Sequence, residues 1–196
     1  MVIHSLIVYF NYDVSTTSRT IFETPTLFPK VTFCNINWIT TKYAYNLTQN
    51  GVKWSDMQKG QDKQKKLGHD LDDILLDCTF NNNQCNSIDF HWSYDETYGN
   101  CYTFNSGLNS NRSEQIKLKE TSIGGPDLGL KLTLYVNIYE ELLNDTDNIG
   151  GLGALIRIGN SSYSSDYLNG GIFIPPGFQL IVNLNQCYLN LIVTVK

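Results

Sequence analysis

The clearest pattern in the chain lies between residues 130 and 138. Leu130, Leu132, Leu134, Val136 and Ile138 alternate with Lys131, Thr133, Tyr135 and Asn137. A period of two predicts a long strand with one buried and one wet face. Val31 and Phe33 alternate with Thr32 and Cys34 in the same way, as do Ile88, Phe90 and Trp92 with Asp89, His91 and Ser93. Each predicts a half-buried strand. Further strands are expected over Gln115 to Lys119, Ala154 to Ile158 and Ile172 to Leu184, the last bent by a Pro-Pro-Gly turn. Leu67, Leu71, Ile74 and Leu75 fall at i, i+4, i+7 and i+8, one stripe of a helix. Asp70, Asp72 and Asp73 would sit in its first turns, at the positive end of the dipole. Between Cys78 and Cys85 the run Asn81 to Gln84 is polar and turn-prone, and suits a hairpin tip clipped by a disulfide. Tyr98-Gly99-Asn100, Ser106-Gly107 and Gly124 to Asp127 read as turns. With no internal repeat and no linker that splits the chain, the class is α+β, dominated by antiparallel strands.

Composition narrows the function classes. Of the 196 residues 41% are hydrophobic and 17% charged, enough for a packed core and against wholesale disorder. The net charge of −5 argues against a nucleic-acid partner. The basic cluster from Lys59 to Lys66 includes Asp62 and reads as a solvated face. Asn46, Asn111, Asn144 and Asn160 each open an N-x-S/T sequon in a polar, turn-like setting. Beside clustered cysteines, they favour an extracellular compartment and glycosylation. Val2 to Phe10 is apolar but about half the ~20 residues that a bilayer-crossing helix needs. It contains His4 and lacks a cationic start and a small-residue cleavage site, so it makes a poor signal peptide. Leu189 to Val195 is shorter still.

Enzymatic constellations are absent: the chain holds no G-x-S-x-G, no H-E-x-x-H and no Gly-rich phosphate loop. Asp145 to Gly150 mimics the opening of a calcium loop. It fails as one, because Ile149 takes a ligand position and Ile156 stands where the bidentate Glu belongs. His4, His69 and His91 are scattered and read as ordinary surface or helix-start residues rather than metal ligands. His69 lies among Asp70, Asp72 and Asp73, which would favour its charged form.

Several strings together resemble the epithelial sodium channel, degenerin and acid-sensing ion channel family. The longest combines C-x-F-x-x-x-x-C-x-x-x-D-F, from Cys78 to Phe90, with Y-G-N-C-Y-T-F-N-S-G, from Tyr98 to Gly107. In family order stand Tyr9 to Tyr12, Phe28 to Asn37, Gly68-His69-Asp70-Leu71 with Leu75 to Cys78, Gly129-Leu130, and Pro176 to Gln179. The resemblance covers residues 9 to 180. It implies a palm and β-ball of antiparallel strands with a short finger helix, stapled by disulfides. Residues 1–10 would end the first transmembrane helix, residues 11–180 would form the extracellular domain, and residues 181–196 depart from the family pattern as a divergent tail. Cys34 would pair with Cys101 and Cys78 with Cys85, leaving Cys187 over. Tyr12 would match the wrist aromatic that couples ectodomain to pore. The implied function is a partial subunit of an amiloride-sensitive-type, ligand-gated sodium channel. Such a subunit sits in the plasma membrane with this region outside, forms a homo- or hetero-trimer, passes Na⁺ and needs no cofactor. Acid-sensing relatives gate through clustered carboxylates; here Asp145 and Asp147 are followed by Ile149-Gly150-Gly151, which departs from that pattern. Gly159-Asn160-Ser161 spells the G-x-S of the family's filter but lies in a polar, sequon-bearing loop, and reads as coincidence. The alternative from another class is a secreted, disulfide-stapled binding module without a pore.

Overall fold

The computed structural model describes residues 25–37, 61–108, 115–122, 128–137, 152–159, 170–184 and 189–196. The strands are β1 (Thr26–Leu27), β2 (Lys30–Asn35), β3 (Leu75–Phe80), β4 (Asn83–Gln84), β5 (Phe90–Asp95) and β6 (Gly99–Phe104). They continue with β7 (Glu120–Thr121), β8 (Leu130–Leu134), β9 (Ala154–Gly159), β10 (Ile172–Ile174), β11 (Gln179–Leu184) and β12 (Leu189–Val195). Two short helices, α1 (Gln61–Leu67) and α2 (Leu71–Ile74), precede β3, and a 3-10 turn spans Ser87–Asp89.

Two five-stranded sheets carry the fold. One runs β10-β9-β2-β6-β5, the other β11-β12-β8-β3-β4; β1 and β7 pair separately. The α+β class with mainly antiparallel strands holds, with one exception: β12 lies parallel to β8. Alternation explains the packing. On the first sheet Val31, Phe33, Phe90, Tyr102, Phe104 and Ile156 enter a single core; on the second Cys78, Leu130, Leu132, Leu134, Leu191, Val193 and Val195 do so. The aromatic rings meet edge-on, Phe28 against Phe80 at 5.0 Å and Phe33 against Phe90 at 5.8 Å, a favoured geometry for ring quadrupoles. The opposite face of the first sheet has a smaller cluster of Cys34, Ile36, Cys101 and Leu155.

The strand predicted from residue 130 has the expected register: Leu130, Leu132, Leu134 and Val136 are buried, Lys131, Thr133 and Tyr135 half-buried. It ends at Leu134, while Val136 N–H still donates to the Lys196 carbonyl. Ile138 lies outside the described residues. The Cys78–Cys85 segment is a two-residue hairpin whose tip, Asn81-Asn82, has φ of 49° and 63°. That is the left-handed pair a type I′ turn requires, and asparagine tolerates it better than most residues.

Four expectations need correction. The helical stripe is not one helix: α1 stops at Leu67, α2 has four residues, and Leu75 opens β3. Gly68, a residue that helix interiors disfavour, follows α1, and the Ile74 carbonyl is taken by Tyr135 N–H. Ile88 is 63% exposed in the 3-10 turn rather than buried in a strand, while His91 and Ser93 are buried. Gln115 to Lys119 makes only a bridge from Gln115 to Leu108 before β7 begins at Glu120. The Lys119 carbonyl instead accepts from Phe28 N–H. Finally, Ile172 to Leu184 is two strands in two different sheets, with the Pro-Pro-Gly turn carrying the chain between layers.

Candidate functional site

The chemistry-bearing residues converge on β6 and its neighbours. Cys34 and Cys101 are direct cross-strand partners of β2 and β6, with Cα atoms 4.3 Å apart, and are joined by a disulfide. A second disulfide joins Cys78 to Cys85 across the hairpin, where Cys85 N–H also donates to the Cys78 carbonyl. Both bridges tie neighbouring strands that the backbone ladder already pairs.

Asn100, in the first turn of β6, is buried and uses its whole amide. Its Nδ2 donates to the carbonyls of Lys65 at 2.9 Å and His69 at 3.2 Å, and its Oδ1 accepts from Trp92 Nε1 at 3.0 Å. Tyr102, two residues on and so on the same face, donates its hydroxyl to the same His69 carbonyl at 2.9 Å. Lys65 Nζ stands 5.9 Å above the Trp92 ring, within cation–π range. One side chain therefore fixes the end of α1 and the α1–α2 joint to the sheet. His69, read as a surface or helix-start residue, does stand just before α2, but with its carbonyl so held it is only 4% exposed. His91 is buried as well, on the other face of β5; His4 lies outside the described residues.

Asn105 plays the matching part at the far end of β6. Its backbone is left-handed at φ 58°. Its Oδ1 accepts from Lys119 N–H, and its Nδ2 donates to the Phe28 carbonyl and, at 3.4 Å, to the Lys119 carbonyl. Lys119 Nζ pairs with Asp89 at 2.8 Å and lies over the rings of Phe80 and Phe104. Asn35 Nδ2 reaches across the sandwich to the Val136 carbonyl at 3.2 Å. The β5–β6 loop closes on Asp95. Its Oδ1 accepts from Thr97 and Tyr98 N–H, and its Oδ2 pairs with Arg157 Nη1 at 2.8 Å, the guanidinium lying over the Tyr98 ring.

Burial pushes the Tyr102 phenol well above its usual range, and the nearby Asp70 and Asp73 push the same way. Burial, then Glu96 and Asp95, raise Tyr94. Both phenols stay neutral at physiological pH. Among the described residues no group of His, Cys, Asp or Glu is placed to hold a metal ion, and no helix is long and apolar enough to cross a membrane. Tyr12, Cys187, Asp145, Asp147 and all four sequon asparagines, Asn46, Asn111, Asn144 and Asn160, lie outside the described residues. Sequence reasoning took Asn35, Asn100 and Asn105 only as parts of longer strings. For Asn35 and Asn100 the missed signal was an asparagine inside a strand, a residue that strands disfavour. Its four described cysteines are all in disulfides, and its hydrogen bonds link the end of α1, the α1–α2 joint and both sheets.

Comparison with known proteins places the chain in a family. Residues 53–191 match the family model described as amiloride-sensitive sodium channel. The match runs through β11 and into β12. The chain is 31% identical over 210 residues to the FMRFamide-activated amiloride-sensitive sodium channel of Cornu aspersum, covering 90% of this chain and 32% of that protein. It is 27% identical over 219 residues to acid-sensing ion channel 1 of Gallus gallus, covering 91% and 40%. With the epithelial sodium channel subunit gamma of Neoceratodus forsteri it shares 37% identity over 75 residues, covering 38% and 11%. The chain thus spans 32% of the first of these relatives and 40% of the second.

Proposed function

The chain belongs to the amiloride-sensitive sodium channel family, and from that membership we propose that it forms the palm, finger and β-ball part of the extracellular domain of a sodium channel subunit. The family is one of ion channels, not enzymes. The parent subunit passes Na⁺ across the plasma membrane, assembles as a homo- or hetero-trimer and opens in response to a ligand. Asn46, Asn111, Asn144 and Asn160 carry glycans on the outer side, and Tyr12 couples the domain to the pore.

The observation that carries this reading is the Asn100 clamp inside the disulfide-tied sheet. A ligand-driven gate needs an element that moves as a body rather than deforming. Here the α1–α2 joint is held to β6 by one amide and one phenol, so a displacement of the helices must carry the sheet with it.

A chimera tests it. Residues 25–196 replace the matching region of a related amiloride-sensitive channel, and currents are recorded under voltage clamp with surface biotinylation in parallel. The expected result is an amiloride-blocked Na⁺ current. A chimera that reaches the surface and passes no current overturns the reading.

A further inference from the structure

The β5–β6 turn folds back over its own sheet. Asp95 ends β5, the edge strand, and Arg157 lies on β9, with β2 and β6 between them. Three strand spacings come to about 14 Å on a flat sheet, yet the carboxylate and the guanidinium meet at 2.8 Å. The turn closes that gap by curling over the outer face of the sheet. Gly99, at its base, has φ of 67°, a left-handed backbone that glycine adopts without strain. Asp95 Oδ1 accepts from Thr97 and Tyr98 N–H and so stiffens the turn. The curl lays Tyr98 against the cluster of Cys34, Ile36, Cys101 and Leu155, and the Arg157 guanidinium covers the Tyr98 ring at 5.3 Å.

Beneath lies the Cys34–Cys101 bridge, each of its cysteines 1% exposed. Thiol–disulfide exchange starts with a thiolate reaching one sulfur, so access sets its rate. We propose that the β5–β6 turn is a shutter over this bridge, with Tyr98 as the cover and the Asp95–Arg157 pair as the catch that holds it down. Closed, the shutter keeps extracellular small thiols of the glutathione class from the bridge. Lifted, it lets one thiolate displace a cysteine sulfur and a second release the mixed disulfide. Two small thiols are then oxidised to their disulfide, and Cys34 and Cys101 are left as free thiols. The catch is itself shielded, its side chains 15% and 9% exposed, so salt screens it little. What the turn controls is whether β2 and β6 stay cross-linked when the exterior is reducing. These contacts belong to this chain and do not depend on the channel reading.

Timed alkylation tests it. The folded 196-residue chain is exposed to reduced glutathione and free thiols are trapped with iodoacetamide at intervals. The cysteine peptides are quantified by mass spectrometry, and near-ultraviolet circular dichroism reports the aromatic core. Tyr98→Ala should speed reduction of Cys34–Cys101 about tenfold or more, and Tyr98→Phe, which keeps the ring, should match the wild type. Asp95→Asn keeps an acceptor for Thr97 and Tyr98 N–H but drops the ion pair, and should speed the reduction about threefold or more. The Cys78–Cys85 bridge belongs to the other sheet and is the internal reference, reduced at the wild-type rate in every variant. Unchanged Cys34–Cys101 kinetics in Tyr98→Ala and Asp95→Asn overturn the proposal. So does an equal acceleration of both bridges, which marks global opening instead of a lifted turn. Where Tyr98→Ala loses the core signal, Asp95→Asn decides alone.

Discussion

Gly68 and Asn100 meet so closely that neither tolerates a change in the other. A Cβ on Gly68 would stand 2.7 Å from Asn100 Cγ and 2.8 Å from its Nδ2. The Asn100 amide cannot retreat, because Lys65, His69 and Trp92 hold it at both ends. Gly68→Ala is therefore expected to destabilise the fold by about 1–3 kcal/mol, the range for overpacking a fixed site. Denaturant unfolding measures this; a midpoint equal to that of wild type would mean that the amide can yield.

The two disulfides differ in the loop they close. Cys34 and Cys101 are 67 residues apart, Cys78 and Cys85 only 7. In the chain-entropy account the first contributes about 4.4 kcal/mol and the second about 2.4 kcal/mol. Cys34→Ser should accordingly cost about 2 kcal/mol more than Cys85→Ser. Unfolding of the two variants under identical conditions decides it, and the reverse order would discount the loop-length account.

Leu134 is fully buried between the sheets, and Lys131, on the opposite face of β8, is half-buried. Leu134→Asp leaves a carboxylate without a counter-charge in the core and should abolish folding. Lys131→Ala should stay within about 0.5 kcal/mol of wild type. Soluble yield and circular dichroism separate the two, and tolerance of the aspartate would show that the core face is misassigned.

Tyr102 links stability to alkaline pH. Its folded pKa lies above that of a free phenol because the site disfavours the phenolate. The resulting stabilisation is complete below about pH 10 and is lost as pH rises through the folded value. Tyr102→Phe should flatten that alkaline decline. At neutral pH it should cost about 1 kcal/mol, the net value of one hydrogen bond, since the His69 carbonyl keeps its bond from Asn100. Thermal unfolding as a function of pH gives both numbers. An unchanged alkaline slope would assign the decline to other groups.

Asn105 combines a left-handed backbone with its side-chain bonds. Asn105→Gly and Asn105→Ala both lose those bonds, but only alanine is strained at φ 58°. Alanine should be the worse by about 1 kcal/mol. Equal costs would show that the turn relaxes.

Elements whose burial follows a simple period were legible in the sequence. The β8 register and the Asn81-Asn82 hairpin are of this kind, because alternation and turn chemistry act over a few residues. The break at Gly68 was only half legible: four apolar positions match a helix there, the glycine marks a possible stop, and the Asn100 amide that packs against it lies 32 positions later. The separation of β10 from β11 into different sheets was hidden for a related reason, since a period of two does not say which layer a strand joins. The clamps were hidden most deeply. Asn100 serves backbone carbonyls 35 and 31 positions away, and carbonyls carry no sequence signal.

The parallel pairing of β12 with β8 fixes an order of events during synthesis. β12 stands second in its sheet, between β11 and β8, yet it is made after every other described strand. Until residues 189–195 leave the ribosome, β8 has no neighbour on that side, and Leu130, Leu132 and Leu134 lack the Leu191, Val193 and Val195 that complete their layer. The nascent chain can close the Cys78–Cys85 hairpin and pair β5 with β6 early, since those contacts are local. The sandwich itself must wait for residues 189–195, so its apolar β8 face stays uncovered through elongation, the situation in which non-local pairing exposes a chain to aggregation.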